Sequence, residues 1–158
     1  MKTFKVSRRC SASIAHRIYG HEGKCKDFHG HNYHFTISIS SEMLNPLGMV
    51  VDFGHLKEIF DKWISEHWDH KTILYKEDSL ARYFQRSTGT SDTIKSQLSD
   101  ALIHVDWNPT AENMAFYLVS IVKEALWRKN LLPSICTIEV SVEETDGNTA
   151  SYAESVNS

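Results

Sequence analysis

The chain has 158 residues, of which 41% are hydrophobic and 23% charged, and its formal net charge is -3. This length fits one domain with a sizeable core. The absence of a basic run argues against nucleic-acid binding. No stretch approaches the length of a membrane span, and the N-terminal residues lack the apolar region of a signal peptide. We therefore expect a cytoplasmic protein without membrane contacts, whose three cysteines are free thiols.

Two segments near the N-terminus predict a pair of antiparallel strands. Residues 3–14 alternate roughly between polar and apolar side chains, with a bulge expected near Arg8 and Arg9. From residue 29 onward the alternation is cleaner, and Tyr33 and Phe35 share the apolar side. A glycine-containing loop, residues 17–27, joins the two strands.

Two helices and two further strands follow. An apolar stripe after Asp52 predicts a helix with that residue as its N-cap, and a second stripe after Thr110 predicts a helix that runs to about Lys129. Residues 138–142 alternate as a strand, and residues 149–153 complete a hairpin with it. The order ββααββ indicates an α+β fold, in which an antiparallel four-stranded sheet carries two helices on one side.

The segment between Tyr75 and Asp106 resists assignment. Leu80, Tyr83 and Phe84 have the spacing of one short helix. A second short helix is suggested by Ile94, Leu98 and Leu102. Serine and threonine crowd the region between them. We treat residues 1–158 as a single domain with an insertion at about 72–106, for which an ordered element and a mobile flap both fit.

Three histidines predict a metal site. His29 and His31 are two residues apart, so in a strand both imidazoles share one face with α-carbons roughly 6.7 Å apart. His16 ends the first alternating segment. Three neutral imidazoles suit zinc and leave a fourth position open, as in a catalytic site. If Cys25 were the fourth ligand, the site would be closed and structural, so both interpretations stand on the residues alone.

One carboxylate lies on an apolar face. Glu144 has the same parity as Val140 and Val142 in the predicted third strand. An unpaired buried charge costs at least several kcal/mol. Glu144 is therefore expected to have a functional role or to form a buried ion pair.

Six motifs together resemble one enzyme family. They are Ser13-Ile14-Ala15-His16-Arg17, Cys25 followed by His29-Gly30-His31-Asn32-Tyr33, Gly48 to Phe53, Asp69-His70-Lys71, Pro109 to Asn113, and Glu144-Thr145 before Tyr152. In this order they are similar to the 6-pyruvoyltetrahydropterin synthase and 6-carboxytetrahydropterin synthase family. The resemblance covers most of the chain, although the link between residues 71 and 106 is longer than usual for the family.

The resemblance implies a T-fold (tunnelling fold), whose ββααββ subunits assemble into an oligomeric barrel, with a hexamer formed as a dimer of trimers. It implies zinc (Zn2+) on the three histidines, a catalytic Cys25, and an Asp69-His70 pair supplied by a neighbouring subunit. It also implies a pterin ring anchored by Glu144. Thr110 and Glu112 are expected to support that anchor, and Arg17, Lys24 and Lys26 to contact the triphosphate, although a solvated charged loop explains the last three equally well.

The spacing of Cys25 favours one branch of the family. Three residues separate it from His29, which gives the Cys-x-x-x-His-Gly-His form typical of the carboxytetrahydropterin synthases of queuosine and 7-deazapurine biosynthesis. That branch converts 7,8-dihydroneopterin triphosphate into 6-carboxytetrahydropterin, acetaldehyde and triphosphate. The alternatives are the pyruvoyl product, from triphosphate elimination alone, and a zinc-stabilised module that binds a pterin without turning it over.

Overall fold

The alternating segments assemble into one sheet. A computed structural model describes residues 2–87 and 99–156, in which six strands lie in the order β4-β3-β1-β2-β5-β6. The strands are β1 (Phe4–His16), β2 (His29–Ser41), β3 (Lys71–Tyr75), β4 (Leu102–Val105), β5 (Thr137–Thr145) and β6 (Asn148–Ser155). The helical segments are α1 (Phe53–Leu56), the π-helical turn Lys57–Asp61, α2 (Lys62–His67), α3 (Ser79–Ser87) and α4 (Ala111–Arg128), with short 3-10 turns at Lys24–Lys26 and Leu132–Ser134.

The prediction of a four-stranded antiparallel sheet is wrong. β1, β2, β5 and β6 pair antiparallel as expected, but β3 and β4 extend the sheet beyond β1 and run parallel to it, so the sheet is mixed. Both added strands come from the segment that we treated as an insertion. They have only five and four residues, and Ile73 and Leu74 are consecutive buried positions in β3. A run this short shows no alternation that predicts a strand.

The bulge expected in β1 is also absent. The register of β1 and β2 is continuous from Phe4 opposite Ser41 to His16 opposite His29. Arg8 breaks the apolar alternation, yet its side chain lies on the face of the sheet that the helices cover. There its guanidinium donates two hydrogen bonds to Asp61, of 2.9 and 2.6 Å. The ion pair replaces an apolar contact and the strand continues unbroken.

Both predicted helices are confirmed, and they share one face of the sheet. Asp52 accepts a hydrogen bond of 2.6 Å from Gly54 N–H, and Thr110 accepts one of 3.3 Å from Asn113 N–H, so both N-caps are present. The helices pack on the strands in one hydrophobic core. The core includes Ile14, Tyr33, Phe35, Ile37, Leu56, Phe60, Ile64, Trp68, Met114, Leu118, Val140 and Val142.

The segment after Tyr75 is helical only in part. Leu80, Tyr83 and Phe84 lie in α3, as their spacing suggested, but Leu102 belongs to β4 and not to a helix. Ile94 and Leu98 fall outside the described residues. Among the helices of the described ranges, none combines the length and apolar character needed to cross a membrane.

Candidate metal centre and substrate cavity

Three imidazoles meet at one end of the core face. His16 is the last residue of β1 and pairs with His29, the first residue of β2, while His31 lies opposite Ile14. Candidate ligand atoms of the three rings all lie within 4.8 Å of one another. The His16 side chain is 1% exposed and that of His31 is 20% exposed. The sheet register alone thus brings the three predicted ligands together.

Backbone carbonyls orient two of these rings. His16 Nδ1 lies 2.7 Å from the carbonyl oxygen of Pro109, and His29 Nδ1 lies 2.6 Å from that of Asp27. An N–H that donates to a carbonyl fixes the tautomer, so Nε2 of each ring keeps its lone pair. Burial lowers the pKa of both His16 and His31, which favours the neutral imidazoles that bind metals. The donor set fits a zinc ion with three nitrogen ligands and a remaining open position.

A buried tyrosine connects this cluster to the predicted pterin anchor. The Tyr33 hydroxyl donates a 2.7 Å hydrogen bond to Glu144 Oε1 and lies 3.1 Å from His16 Nε2. The same carboxylate oxygen lies 3.3 Å from His16 Nε2 and 3.8 Å from His31 Nε2. Burial, together with the Glu144 carboxylate, raises the pKa of Tyr33, so its hydroxyl stays protonated as a donor. The Glu144 carboxylate therefore has the partner that its place on an apolar face required.

Sequence reasoning missed the role of Tyr33, which we assigned only to the apolar face. Its parity contained the signal, because it follows His29 and His31 on the same side of β2. A tyrosine hydroxyl that is buried there needs a hydrogen-bond partner. Glu144 was the available acceptor, placed where the pairing of β5 and β6 shifts register between Glu143 and Thr145. Such irregularities redirect side chains near functional sites.

A cavity of about 420 Å3 opens beside the histidine cluster. It brings together five residues predicted for the site, namely His16, Cys25, Thr110, Glu112 and Glu144. Residues 147–150 of the β5–β6 hairpin form another wall, and Ile18 and His21 from the loop after β1 complete it. Those wall residues were not predicted, and their sequence carries no motif that would have indicated them. The cavity combines a thiol, a carboxylate and an imidazole from different elements.

The Asp69–His70 pair lies elsewhere. Asp69 Oδ1 accepts a hydrogen bond of 2.9 Å from Ser13 N–H, and Asp69 Oδ2 lies 3.0 Å from His70 Nδ1. His70 has a positive φ of 57° and a side chain that is 81% exposed. It lines a second cavity of about 410 Å3, together with His31 and Lys71, which shares no lining residue with the first. One chain therefore keeps this pair apart from Cys25.

Burial of Asp69 would by itself raise the pKa of its carboxyl group. The hydrogen bonds from Ser13 N–H and from His70 outweigh that effect, so the pKa of Asp69 is lowered. The carboxylate is thus held in its charged form against the His70 ring. A carboxylate in this position orients the imidazole.

The three predicted triphosphate contacts lie outside the wall of the first cavity. The guanidinium of Arg17 donates hydrogen bonds of 2.7 and 2.6 Å to Asp78, whose side chain is fully buried. Lys24 begins the exposed 3-10 turn Lys24–Lys26. Contact of Arg17, Lys24 or Lys26 with a phosphate stays a prediction, and the buried partner of Arg17 gives that residue a structural role as well.

Comparison with known proteins connects this geometry to one family. The family model described as 6-pyruvoyl tetrahydropterin synthase matches residues 5–155. The chain belongs to the 6-pyruvoyl tetrahydropterin synthase family. Within the family, it is 37% identical over 115 residues to the 6-carboxy-5,6,7,8-tetrahydropterin synthase of Rickettsia felis, which covers 72% of this chain and 76% of that protein. It is 32% identical over 123 residues to the protein of the same name from Haemophilus influenzae, covering 76% and 82%.

Two solved structures share the fold of this chain. An uncharacterised protein from Wolinella succinogenes superposes with a TM-score of 0.79 at 22% identity, covering 96% of this chain and 98% of that one. The 6-pyruvoyl tetrahydropterin synthase of Plasmodium vivax gives a TM-score of 0.74 at 19% identity, covering 98% and 99%. At these identities the likeness establishes the fold alone.

Substitution of a histidine tests the metal centre. His31→Ala removes one of three converging nitrogen donors, so we expect metal affinity to fall by more than the roughly 10- to 100-fold that a lost outer-shell partner costs. Metal content after dialysis against a graded chelator measures this. His34→Ala is the matched control, because His34 lies three residues along β2 with the opposite parity. Equal zinc retention by the two variants would contradict the assignment.

Proposed function

We propose that the chain is a zinc-dependent 6-carboxy-5,6,7,8-tetrahydropterin synthase that acts on 7,8-dihydroneopterin triphosphate in queuosine or 7-deazapurine biosynthesis. The observation that carries the proposal is the single cavity that Cys25, His16 and Glu144 line together. The names of the Rickettsia felis and Haemophilus influenzae relatives support it, as does the three-residue spacing between Cys25 and His29. Triphosphate is eliminated first, and cleavage of the side chain, with the uptake of one water molecule, then releases acetaldehyde and leaves the carboxylate on the ring.

The pterin end of the substrate is held by Glu144. A pterin edge presents two N–H donors, and one carboxylate accepts both in a charge-assisted fork. Tyr33 donates to Oε1 of this carboxylate at 2.7 Å, which restricts the orientation of Glu144 before the substrate arrives. Thr110 and Glu112 line the same cavity and supplement the grip.

Proton transfer falls to Cys25. Cys25 lines the same cavity as His16 and Glu144, so it serves as the base that removes a proton from the substrate side chain. His16, His29 and His31 would hold the zinc ion, which would supply Lewis acidity that makes hydroxyl groups of the substrate more acidic. The carbonyls of Pro109 and Asp27 fix the orientation of two of those rings.

The second proton-transfer group is the Asp69–His70 pair of a neighbouring copy. Within one chain His70 and Cys25 line different cavities, which supports a site completed by a second subunit. β4 and β6 are the outermost strands of the sheet and each has a free edge within the described chain, which suits assembly by continued strand pairing. We infer a homo-oligomer, with the hexamer as the expected form.

The reaction products test the function directly. We expect purified, zinc-loaded protein to convert 7,8-dihydroneopterin triphosphate into 6-carboxytetrahydropterin, with acetaldehyde captured by an aldehyde trap and both identified by mass spectrometry. Cys25→Ala should lower turnover by about 10²- to 10⁴-fold, because a general base contributes that much, and should keep its zinc. A pyruvoyl pterin without aldehyde would assign the other branch. No conversion by assembled wild-type protein would leave only a binding module.

Removal of the Tyr33 hydroxyl tests the anchoring of Glu144. Because hydrogen bonds to charged groups contribute about 1.5–3 kcal/mol, Tyr33→Phe should weaken pterin binding by roughly 10- to 100-fold while zinc content stays at the wild-type level. Titration with neopterin, followed by fluorescence, measures the affinity. Tyr117→Phe removes a hydroxyl from another tyrosine of the core, whose ring stacks on Trp68, and serves as the control. Wild-type affinity in Tyr33→Phe would refute the role.

Mixed oligomers test the shared site. Cys25→Ala and His70→Ala chains should each be inactive alone, and random co-assembly should restore about a quarter of the wild-type activity, because a correctly ordered neighbour pair then arises in about that share of sites. The chains are unfolded and refolded together, and activity is compared with separately refolded chains. Absence of recovery in verified mixed oligomers would place the complete site within one chain.

A further inference from the structure

Cys25 lies on a loop whose backbone hydrogen bonds are largely internal to the loop. The loop, residues 17–28, joins β1 to β2, and Ile18 N–H donates a 2.8 Å hydrogen bond to the carbonyl oxygen of Cys25. The 3-10 turn around Cys25 adds hydrogen bonds from Lys26 N–H to Gly23 O and from Asp27 N–H to Lys24 O. These bonds shape the loop, but they do not set its position relative to the cavity. That position depends on contacts with other parts of the chain.

Asn108, in the segment before α4, supplies such a contact. Its side-chain oxygen accepts a hydrogen bond of 2.9 Å from Tyr19 N–H, and its side-chain nitrogen donates one of 2.9 Å to Tyr19 O. The amide thus binds both polar groups of one peptide residue, as a neighbouring strand would. Tyr19 directly follows Ile18, whose N–H is hydrogen-bonded to the carbonyl oxygen of Cys25. Asn108 therefore restrains Cys25 through two sets of hydrogen bonds, first to Tyr19 and then from Ile18 to Cys25.

The backbone around Asn108 is itself anchored to the site. Its carbonyl oxygen accepts hydrogen bonds from Thr110 N–H at 2.8 Å and from the side chain of Asn113 at 3.0 Å. The next carbonyl along the chain, that of Pro109, holds His16 Nδ1 at 2.7 Å. One short segment before α4 therefore joins the metal cluster, the cavity wall at Thr110 and the Cys25 loop.

We propose that Asn108 is a positioning residue that sets the place of Cys25 relative to the three histidines and the bound pterin. The proposal rests on the role given to Cys25 under the proposed function. Asn108 acts through the loop and touches no substrate. The Arg17–Asp78 ion pair holds the start of the same loop to the turn before α3, so loss of Asn108 displaces the loop without detaching it.

Substitution of Asn108 should therefore separate turnover from binding. In Asn108→Ala we expect kcat to fall on the order of 10- to 100-fold, as a displacement of about 1 Å of a reacting group can cause. The KM should change little, because Glu144 and Tyr33 keep their positions. Zinc content should equal that of the wild type, since the Pro109 carbonyl is part of the backbone. The two lost hydrogen bonds are exposed to solvent, which favours a variant that still folds.

The alkylation rate of Cys25 provides a measurement that needs no turnover. Zinc-loaded protein is treated with iodoacetamide, and peptides are quantified by mass spectrometry. The released loop should make Cys25 react several-fold faster in Asn108→Ala. Cys10 is the internal reference, because burial raises the pKa of its thiol to about 12 and keeps it slow. If wild-type protein does not turn over the substrate, the proposed function fails, while this rate still decides the role of Asn108.

Two further variants complete the test. Asn45→Ala is the matched control, because the Asn45 side chain also accepts backbone hydrogen bonds, from Leu47 and Met49 N–H at 3.0 Å, in a turn outside the cavity wall. Asn108→Asp keeps the acceptor for Tyr19 N–H but sets a carboxylate oxygen against the Tyr19 carbonyl oxygen, so it should also displace the loop, and it decides the matter if Asn108→Ala fails to assemble. Alkylation rates and kcat equal to those of Asn45→Ala in the assembled Asn108 variants would overturn the proposal.

Discussion

The register between β1 and β2 determines where the site lies. A shift of one residue in an antiparallel pair turns every side chain to the opposite face. In the observed register, Ala12 and Ile14 face the core on β1, and Tyr33 and Phe35 do so on β2, so the core itself penalises any slip. The same register sets His16 opposite His29. The hydrophobic core therefore brings the three histidines together, and the carbonyls of Pro109 and Asp27 orient two of their rings.

The remaining parts of the site approach the cluster from separate elements. The segment before α4 brings the carbonyl that holds His16, and the irregular end of β5 brings Glu144 to the Tyr33 hydroxyl. Polar groups at the end of a core face would be costly if unpaired, and here each of these groups satisfies another. The hydrogen bonds that offset the cost of burying these polar groups also orient the predicted metal ligands and the Glu144 carboxylate. Stability and preorganisation of the site thus depend on one network.

Much of this arrangement could be predicted from the sequence, because it follows from local periodicity. The parity of His29 and His31, the N-caps Asp52 and Thr110 and the alternation of β5 are properties of short windows. β3 and β4 could not be predicted from the sequence, since strands this short show no periodicity and pair only with residues that are distant in the chain. The prediction of a bulge at Arg8 was wrong, because the residue that pairs with Arg8 on the core side, Asp61, lies far along the chain and no local pattern indicates it.

The same limit applies to the site. Motif and parity predicted the cysteine, the three histidines and Glu144, and parity placed Tyr33 on their side of β2 without indicating its hydrogen bond to Glu144. The ion pair of Arg17 with Asp78 depends on a tertiary contact that no local pattern indicates. Glu144 shows the intermediate case, since its apolar parity indicated a partner without naming it. The separation of Asp69 and His70 from Cys25 is a property of three-dimensional arrangement alone.

The central claim is that the histidine cluster forms a zinc centre with an open fourth position beside a free thiol. X-ray absorption at the zinc edge tests it most directly, on protein loaded with one equivalent of zinc. A zinc centre of this kind should show nitrogen and oxygen neighbours at about 2.0–2.1 Å and no sulfur neighbour. A sulfur shell at about 2.3 Å that disappears in Cys25→Ala would show a closed structural site with Cys25 as a ligand, and would contradict the account.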